Sequence, residues 1–347
     1  MSDMIGRLTA ETSSLRLRLE ALTRQVASGQ RTERLGDIAP EVPRAVSLRA
    51  EMGRRDTYTR AMDQAGARME VTQGALDRLR GIAREFRTEV AMRVEAGRPD
   101  SLATVAGRAR AALAEVGALL NTRHAGEYLF AGTDIARPPV PSPEGLAAGP
   151  MAAAIAAEVA ALAPGNAAAV AAQTIAVAQA DDTPFSAAAA DPAAPRRAVP
   201  AGDGELVAYG LHAARNTEAA STGETTGAWA RDLLRNLMVL AALEPAQAAA
   251  APDDFDALVG SVRQGLAAAE DSLGEEAGAL GLVQARVAAA QERHARVTDT
   301  LKVQLAGIQE VDLAATMTRL QATQSALEAS FRAIASISGL SLAKFLG

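Results

Sequence analysis

The feature that most constrains how this 347-residue chain can fold is an apolar heptad repeat at each of its ends. Near the N-terminus the repeat takes alternating steps of four and three residues, through Leu8, Thr12, Leu15, Leu19, Leu22, Val26 and Gly29. Near the C-terminus the same steps run through Leu313, Met317, Leu320, Gln324, Leu327, Phe331 and Ile334. A helix with one apolar stripe is marginally stable alone in water and needs a partner to cover that stripe. We therefore predict that the two terminal helices pair with each other and offer leftover apolar surface to neighbouring copies of the chain.

The composition favours long helices over the packed core of a compact enzyme. Aromatic residues make up 3% of the chain, with a single tryptophan, Trp229, whereas alanine is abundant. Alanine, leucine, arginine and glutamate lose little side-chain freedom in a helix. The chain has no cysteine, and its formal net charge is −6. These features exclude disulfides and cysteine-based zinc sites and indicate no surface suited to nucleic acid.

Further helices are expected between the two ends. One is marked by residues that recur every seventh position: Met62, Met69, Leu76, Ala83 and Val90. Glycine and proline at 97–100 interrupt this pattern, and a second helix is expected to follow them. Later in the chain, residues 255–273 and 280–297 have helical patterns, with Asp253 and Asp254 placed to act as N-caps.

The middle of the chain has a different pattern. From residue 134 to about residue 203 prolines are frequent, alanine runs separate them and the heptads vanish. This pattern predicts either a small inserted module or a partly disordered loop, with short strands near residues 204–209 and a tight turn at Gly202-Asp203-Gly204.

The predicted fold class is mostly α. Long heptad-patterned helices from both termini form a coiled-coil rod, and a small, variable inserted domain that can contain β-structure interrupts it. The expected division is a terminal coiled-coil assembly domain at 1–42 and 298–347, a helical rod domain at 43–135 and 205–297, and the insert at 136–204.

Residues that could carry chemistry are sparse. The histidines at 124, 212 and 294 lie far apart and have no metal-ligand partner three or four residues away, so we expect them to be solvated or to cap helices. The cluster Tyr128-Leu129-Phe130 could dock a partner or pack at a turn. We predict no catalytic residue, no cofactor site and no metal site.

The candidate functional residues are instead those of an assembly interface: Leu8, Leu15, Leu19, Leu22, Val26, Leu313, Met317, Leu320, Leu327, Phe331, Ile334, Leu340 and Leu342.

Four sequence segments resemble those of the flagellin family. They read LTRQVASGQR at 22–31, NTRHAGEYLFAGT at 121–133, RLQATQSALEAS at 319–330 (preceded by DLA at 312–314), and GLSLAKFL at 339–346. The last of these is more similar to the tail of family members that sit between hook and filament than to that of filament flagellins. The resemblance covers both ends of the chain and leaves the middle unmatched.

The resemblance implies a structural subunit of the bacterial flagellum that joins hook to filament and is exported, unfolded, by the flagellar type III apparatus. The implied partners are copies of the chain, neighbouring hook-associated protein and flagellin subunits, and a cytoplasmic export chaperone on the C-terminal helix. The implied location is extracellular. The charged N-terminal segment predicts no cleaved signal peptide, and residues 145–164 are too weakly hydrophobic to predict a membrane span.

Two other functions remain open on the sequence. The first is a filament flagellin, which would be present in thousands of copies and not in a thin junction layer. The second is a cytoplasmic coiled-coil scaffold unrelated to flagella, which would never leave the cell. An enzyme ranks last because no motif supplies a nucleophile, a metal or a cofactor cradle.

Overall fold

The computed structural model describes residues 2–31, 40–94, 99–180 and 184–346, with the backbone alone for 2–5, 99–100 and 337–346. The helices in chain order are α1 (Ser2–Ser28), α2 (Val42–Arg93), α3 (Pro99–Leu120), α4 (Pro150–Ala160), α5 (Ala167–Gln179), α6 (Ala187–Ala190), α7 (Trp229–Ala242), α8 (Pro245–Ala250), α9 (Pro252–Gln309) and α10 (Leu313–Leu346). Two short antiparallel hairpins pair β1 (Arg123–His124) with β2 (Glu127–Tyr128) and β3 (Ala198–Gly202) with β4 (Glu205–Ala208). The prediction of a mostly helical chain, with long helices and a small β-containing insert, is confirmed.

The chain divides into two compact units. Unit 1 comprises residues 1–56 and 293–347, and unit 2 comprises residues 57–292. The expected boundaries of the terminal domain were residues 42 and 298, so the compact unit extends further into both long helices than the heptads alone suggested. No helix in the described part of the chain is both long and apolar enough to cross a membrane.

Unit 1 contains the paired ends of the chain. Helix α1 packs along α10, and an antiparallel bridge joins Gln30 to Glu310 where α1 ends and α10 is about to begin. Backbone hydrogen bonds from Arg31 N to Gln309 O (2.7 Å) and from Val311 N to Gly29 O (3.0 Å) hold the bridge closed. Because α10 begins beside the point where α1 ends and packs along it, the two helices run antiparallel.

Unit 2 is organised around the antiparallel pairing of α2 with α9. Gln291 Nε2 donates to Asp63 at 2.7 Å, and Arg84 Nε donates to Glu270 at 2.8 Å. The heptad residues Met62, Met69 and Leu76 are fully buried, as expected for a core stripe. The other large side chains that are essentially inaccessible in this unit include Trp229, Arg235, Phe130, Phe255, Leu79, Ile82, Leu113, Leu120 and Ile155.

Helix α9 is continuous where two helices were expected. It runs without a break through residues 274–279, between the two predicted segments. At Gly274, an added Cβ would lie 3.3 Å from the Arg80 guanidinium carbon, so the missing side chain makes room for this arginine of α2. Close packing across the helix pair therefore explains a residue that the sequence pattern alone marks as a weak point in the helix.

The segment 136–204 belongs to unit 2 and shares its core. Helices α4 and α5 pack on each other and on α7, and Met151, Ile155, Val159 and Val170 are buried there. The alternative of a partly disordered loop is therefore wrong for the described residues of this segment. Alanine runs between prolines form short helices because alanine has the highest helix propensity. The predicted strand at 204–209 and the turn before it are found as β4 and the Gly204 turn, where φ is +74°.

Asp254 has a different role from the one expected. Its side chain accepts hydrogen bonds from Gly165 N (2.8 Å) and Ala167 N (3.0 Å), which lie at the start of α5. These backbone donors lower the pKa of the Asp254 carboxyl. The residue thus caps the insert helix α5 and not its own helix α9, a long-range contact that local sequence cannot indicate.

Candidate assembly interface

The N-terminal heptad lies on one face of α1. Thr12 and Leu22 are buried, and Leu8, Leu15, Leu19 and Val26 are partly buried. These positions repeat in steps of three and four residues, so they form a continuous stripe along the helix. The stripe includes every candidate residue that the sequence placed on this helix.

The C-terminal helix presents two adjacent stripes. Thr316 and Thr323 are buried, and Leu320, Leu327 and Ile334 are partly buried on the same face. The remaining candidate residues Leu313, Met317 and Phe331 are 50%, 49% and 49% exposed. Of the candidate residues with described side chains on α10, the structure thus brings three into the buried face and leaves three open. The side chains of Leu340 and Leu342 lie outside the described residues.

Threonine is suited to the buried face of this helix pair. The hydroxyl of Thr323 donates to Arg319 O at 2.7 Å, and that of Thr12 on α1 donates to Leu8 O at 2.6 Å. A hydroxyl satisfied within its own helix leaves a methyl group for packing, and its small size lets two helices approach closely. The sequence contains a signal for this stripe, because 316, 320, 323, 327, 330 and 334 also follow four-three steps. The sequence prediction was based on large apolar residues and therefore selected the neighbouring register, which includes Leu313, Met317 and Phe331.

Exposed large apolar side chains are concentrated in unit 1. Among the described residues they are Leu17, Val46, Val297, Val303, Leu313, Met317 and Phe331 in unit 1, and Val71, Met92, Leu206 and Leu282 in unit 2. Unit 1 carries more of them although it has fewer than half as many residues. Large apolar residues gathered on one part of a soluble protein mark a surface for protein association.

Buried polar contacts fix the paired long helices of unit 1. His294 is 4% exposed, and its Nδ1 lies 3.1 Å from Arg55 Nη1. Arg55 also donates through Nε to Glu51 at 2.7 Å, and this hydrogen bond lowers the pKa of the Glu51 carboxyl. These polar contacts accompany the small apolar cluster of Ala45, Leu48 and Ile308. His294 is therefore a buried structural group and not the solvated or capping residue that was expected.

The remaining residues considered for chemistry are structural in the described part of the chain. Phe130 is fully buried and packs edge-on against Trp229, with ring centroids 6.2 Å apart, so the Tyr128-Leu129-Phe130 cluster packs at a turn. His212 is 1% exposed, which also contradicts the expected solvated or capping role, whereas His124 is partly exposed. Among the described residues no group of three or more His, Asp or Glu side chains could hold a metal ion.

Two segments of the chain match models of known protein families. Residues 7–134 match the bacterial flagellin N-terminal helical region, and residues 263–346 match the bacterial flagellin C-terminal helical region. Together these segments cover more than half of the chain. The chain belongs to the flagellin family. A comparison with curated proteins found no match.

Membership explains why the apolar surface lies on the terminal helices. Flagellins are structural, non-enzymatic proteins that are exported and assemble into flagellar polymers. The matched regions of this chain include α1 from residue 7 and α10, the two helices that carry the heptads. The unmatched residues 135–262 contain the helices α4 to α8 and the β3–β4 hairpin.

Proposed function

We propose that this flagellin-family chain is the subunit that joins the flagellar hook to the filament. Assembly is supported by the half-exposed side chains Leu313, Met317 and Phe331 on a helix that already has an intramolecular partner. The junction position is supported by the tail sequence GLSLAKFL at 339–346, which resembles that of junction proteins. The proposal includes no enzymatic step and no cofactor.

In this proposal the mechanism is packing. Helices α1 and α10 of one copy bury their open apolar residues against neighbouring copies, hook-associated proteins on one side and flagellin subunits on the other. Burial of apolar area contributes roughly 25 cal/mol per Å² and offsets the entropy lost when the ends become ordered. Head-to-tail contacts of this kind produce helical layers and filaments.

The route to the outside is part of the same proposal. The subunit would pass through the flagellar type III apparatus as an unfolded chain. A cytoplasmic chaperone would cover the apolar residues of α10 before export, because such a surface promotes aggregation when it is left open. The subunit would then function outside the cell.

The first test is deletion of the gene, followed by electron microscopy of the cells and an assay of the medium for filament flagellin. Intact hooks without filaments, with flagellin lost to the medium, are expected for a junction subunit. Loss of filaments with no flagellin produced at all would instead identify the chain as the filament subunit, the second candidate. The terminal family matches support that candidate equally well, because they do not separate the two roles. Intact hooks and filaments would overturn both and favour a scaffold unrelated to flagella.

The second test addresses the interface itself. Leu320 is partly buried on α10, and Leu320→Asp places a charge in the buried stripe of this helix. We expect this variant to lose incorporation into the flagellum. Unit 2 should unfold as it does in the parent protein, which can be measured by the fluorescence of the sole tryptophan, Trp229. The matched control is Gln321→Asp, which introduces the same charge one residue away at an exposed position. Normal assembly of Leu320→Asp would remove the stripe from the mechanism.

A further inference from the structure

A pairing of two chain segments closes the base of the segment 136–204. The chain passes residues 130–132 before this segment and residues 211–215 after it, and we call these two stretches together the clasp. Gly132 N donates to Leu211 O at 3.1 Å, Ala213 N donates to Phe130 O at 2.8 Å, and an antiparallel bridge pairs Ala131 with His212. The clasp therefore brings together the chain segments that directly precede and follow the helical insert.

The ring of His212 lies at the centre of the clasp. The side chain is 1% exposed, and Gly132 packs directly against it. Gly132 has a φ of +58°, and a Cβ added there would lie 2.2 Å from Cε1 of the ring. Neither a side chain at position 132 nor a shift of the ring toward it can be accommodated. The imidazole is thus enclosed by backbone on this side.

The hydrogen bonds of His212 require a neutral ring. Nε2 lies 2.8 Å from Nη2 of Arg215, and a guanidinium can only donate, so Nε2 accepts. The proton of the neutral ring is then on Nδ1, which is buried and has no hydrogen-bond partner among the described residues. An imidazolium would carry a proton on both nitrogens and would lose the Arg215 contact.

The charged groups around the ring are predominantly positive. Arg215 and Arg196 oppose a positive charge on His212, and Asp191 favours one. Arg215 also donates to the carbonyls of Asp191, Pro192 and Ala194, and so fastens the end of the insert to the clasp. Arg196 donates to Gly210 O at 3.1 Å and pairs with Glu218 at 2.6 Å. Burial, followed by the two arginines, lowers the pKa of His212 from 6.5 to about 4.

We propose that the clasp is an acid-opened switch, in which protonation of His212 expels the ring from Arg215 and releases residues 130–132 and 191–194 from residues 211–215. A buried histidine held neutral by a guanidinium is a bistable element because the charged form has no acceptable position in the closed state. The outcome would be a loosened insert in acid and a closed one at neutral pH. This property is independent of whether the chain serves the junction or the filament.

The direction of the effect follows from the two pKa values. In the open clasp the imidazole would titrate near its ordinary value of about 6.5, whereas in the closed clasp it titrates at about 4. The closed form is therefore most favoured above pH 6.5, and it loses stability as the pH falls through the window between these values. The equilibrium constant for opening is expected to rise by about 100-fold between pH 7 and pH 4. The full factor of about 300, from a tenfold change per pKa unit, is reached only well below pH 4.

Hydrogen exchange on the full chain from pH 7 to pH 4, corrected for the intrinsic pH dependence of exchange, tests the proposal. The Gly132 and Ala213 amides of the parent protein should lose protection by about 100-fold over this range. His212→Gln keeps an acceptor for Arg215 but cannot be protonated in this range, and should stay protected. His124→Gln, which removes a partly exposed histidine of the same unit, should behave like the parent protein. Constant protection in the parent protein, or equal loss in His212→Gln, would overturn the switch.

A second measurement does not depend on the variant being folded. In an NMR titration of the parent protein, His212 should protonate well below pH 6.5, and the Gly132 amide signal should shift in the same pH range. Protonation near pH 6.5 without a change at Gly132 would contradict the proposal.

Discussion

Units 1 and 2 use the same long helices but are stabilised differently. Unit 2 buries Trp229, Phe130 and Phe255 completely and leaves few large apolar residues open. Unit 1 pairs its terminal helices through Thr12, Leu22, Thr316 and partly buried leucines, and keeps a set of large apolar side chains about half exposed or more. The difference indicates that unit 2 completes its core within one chain, whereas unit 1 is completed by neighbouring subunits.

Polar residues show the same contrast. In unit 2 the buried Arg235 donates through Nε to Thr174 Oγ1 at 2.9 Å and through Nη2 to Ala171 O at 3.3 Å, which fastens α7 to α5. Burial lowers the pKa of this guanidinium. In unit 1 the buried Thr12 and Thr323 donate within their own helices, to Leu8 O and Arg319 O. The buried hydroxyl of Thr174 in unit 2 is thus a partner for a charge, whereas that of Thr323 in unit 1 bonds only within its own helix.

The largest expected effect is that of Phe130→Ala in unit 2. It removes a fully buried ring that packs edge-on against Trp229, and substitutions of this kind cost about 3–5 kcal/mol. Urea unfolding followed by Trp229 fluorescence measures the loss. The control is Leu206→Ala, at a side chain 68% exposed on the β3–β4 hairpin, where a change within about 0.5 kcal/mol is expected. Equal losses for both variants would mean that Phe130 does not belong to a closed core in unit 2.

The same substitution, threonine to valine, can be made at one buried site in each unit, and the expected difference in unfolding free energy is of intermediate size. Thr174→Val removes the acceptor of a buried arginine, and we expect a loss of about 1.5–3 kcal/mol because the hydrogen bond involves a charged group. Thr323→Val in α10 removes only a bond within the helix and should change the unfolding free energy by less than about 0.5 kcal/mol. Urea unfolding followed by circular dichroism and by Trp229 fluorescence would measure both. If Thr323→Val were the more destabilising, the hydroxyl of Thr323 would contribute more to stability than that of Thr174, which would contradict the contrast between the two units.

The sequence predicted the periodic parts of the fold and missed the long-range contacts. Met62 and Met69 are core residues as expected, and the α1 heptad matches the buried face residue by residue. A repeat of 3.5 residues is a property of one segment, so it can be found without knowing the partner. The role of Asp254 as a cap for α5 could not be found in this way, because the capped helix begins nearly ninety residues earlier.

The buried face of the terminal helix pair could be predicted on α1 more completely than on α10. On α10 two registers with four-three steps lie side by side, and apolarity favoured the one that includes Leu313, Met317 and Phe331. In the structure the threonine-containing register forms the buried face, because packing rewards fit and close approach as well as apolar area. The buried positions of His212 and His294 had no local signal at all, since a lone histidine has no periodic context.

The smallest expected change in monomer stability is that of Phe331→Ser. This variant tests most directly whether unit 1, unlike unit 2, is completed by neighbouring subunits. The ring is 49% exposed, so its removal should alter the unfolding free energy of the monomer by no more than about 0.5 kcal/mol, measured by circular dichroism in urea. If neighbouring subunits bury this ring, incorporation into the flagellum should nonetheless fail, because up to about 3 kcal/mol of apolar burial is lost at every copy of the interface. The control is Phe331→Leu, which keeps an apolar side chain and should assemble. A monomer destabilised by several kcal/mol would show that Phe331 already packs within its own chain. Normal assembly of Phe331→Ser would show instead that the open stripe on α10 faces solvent in the finished structure.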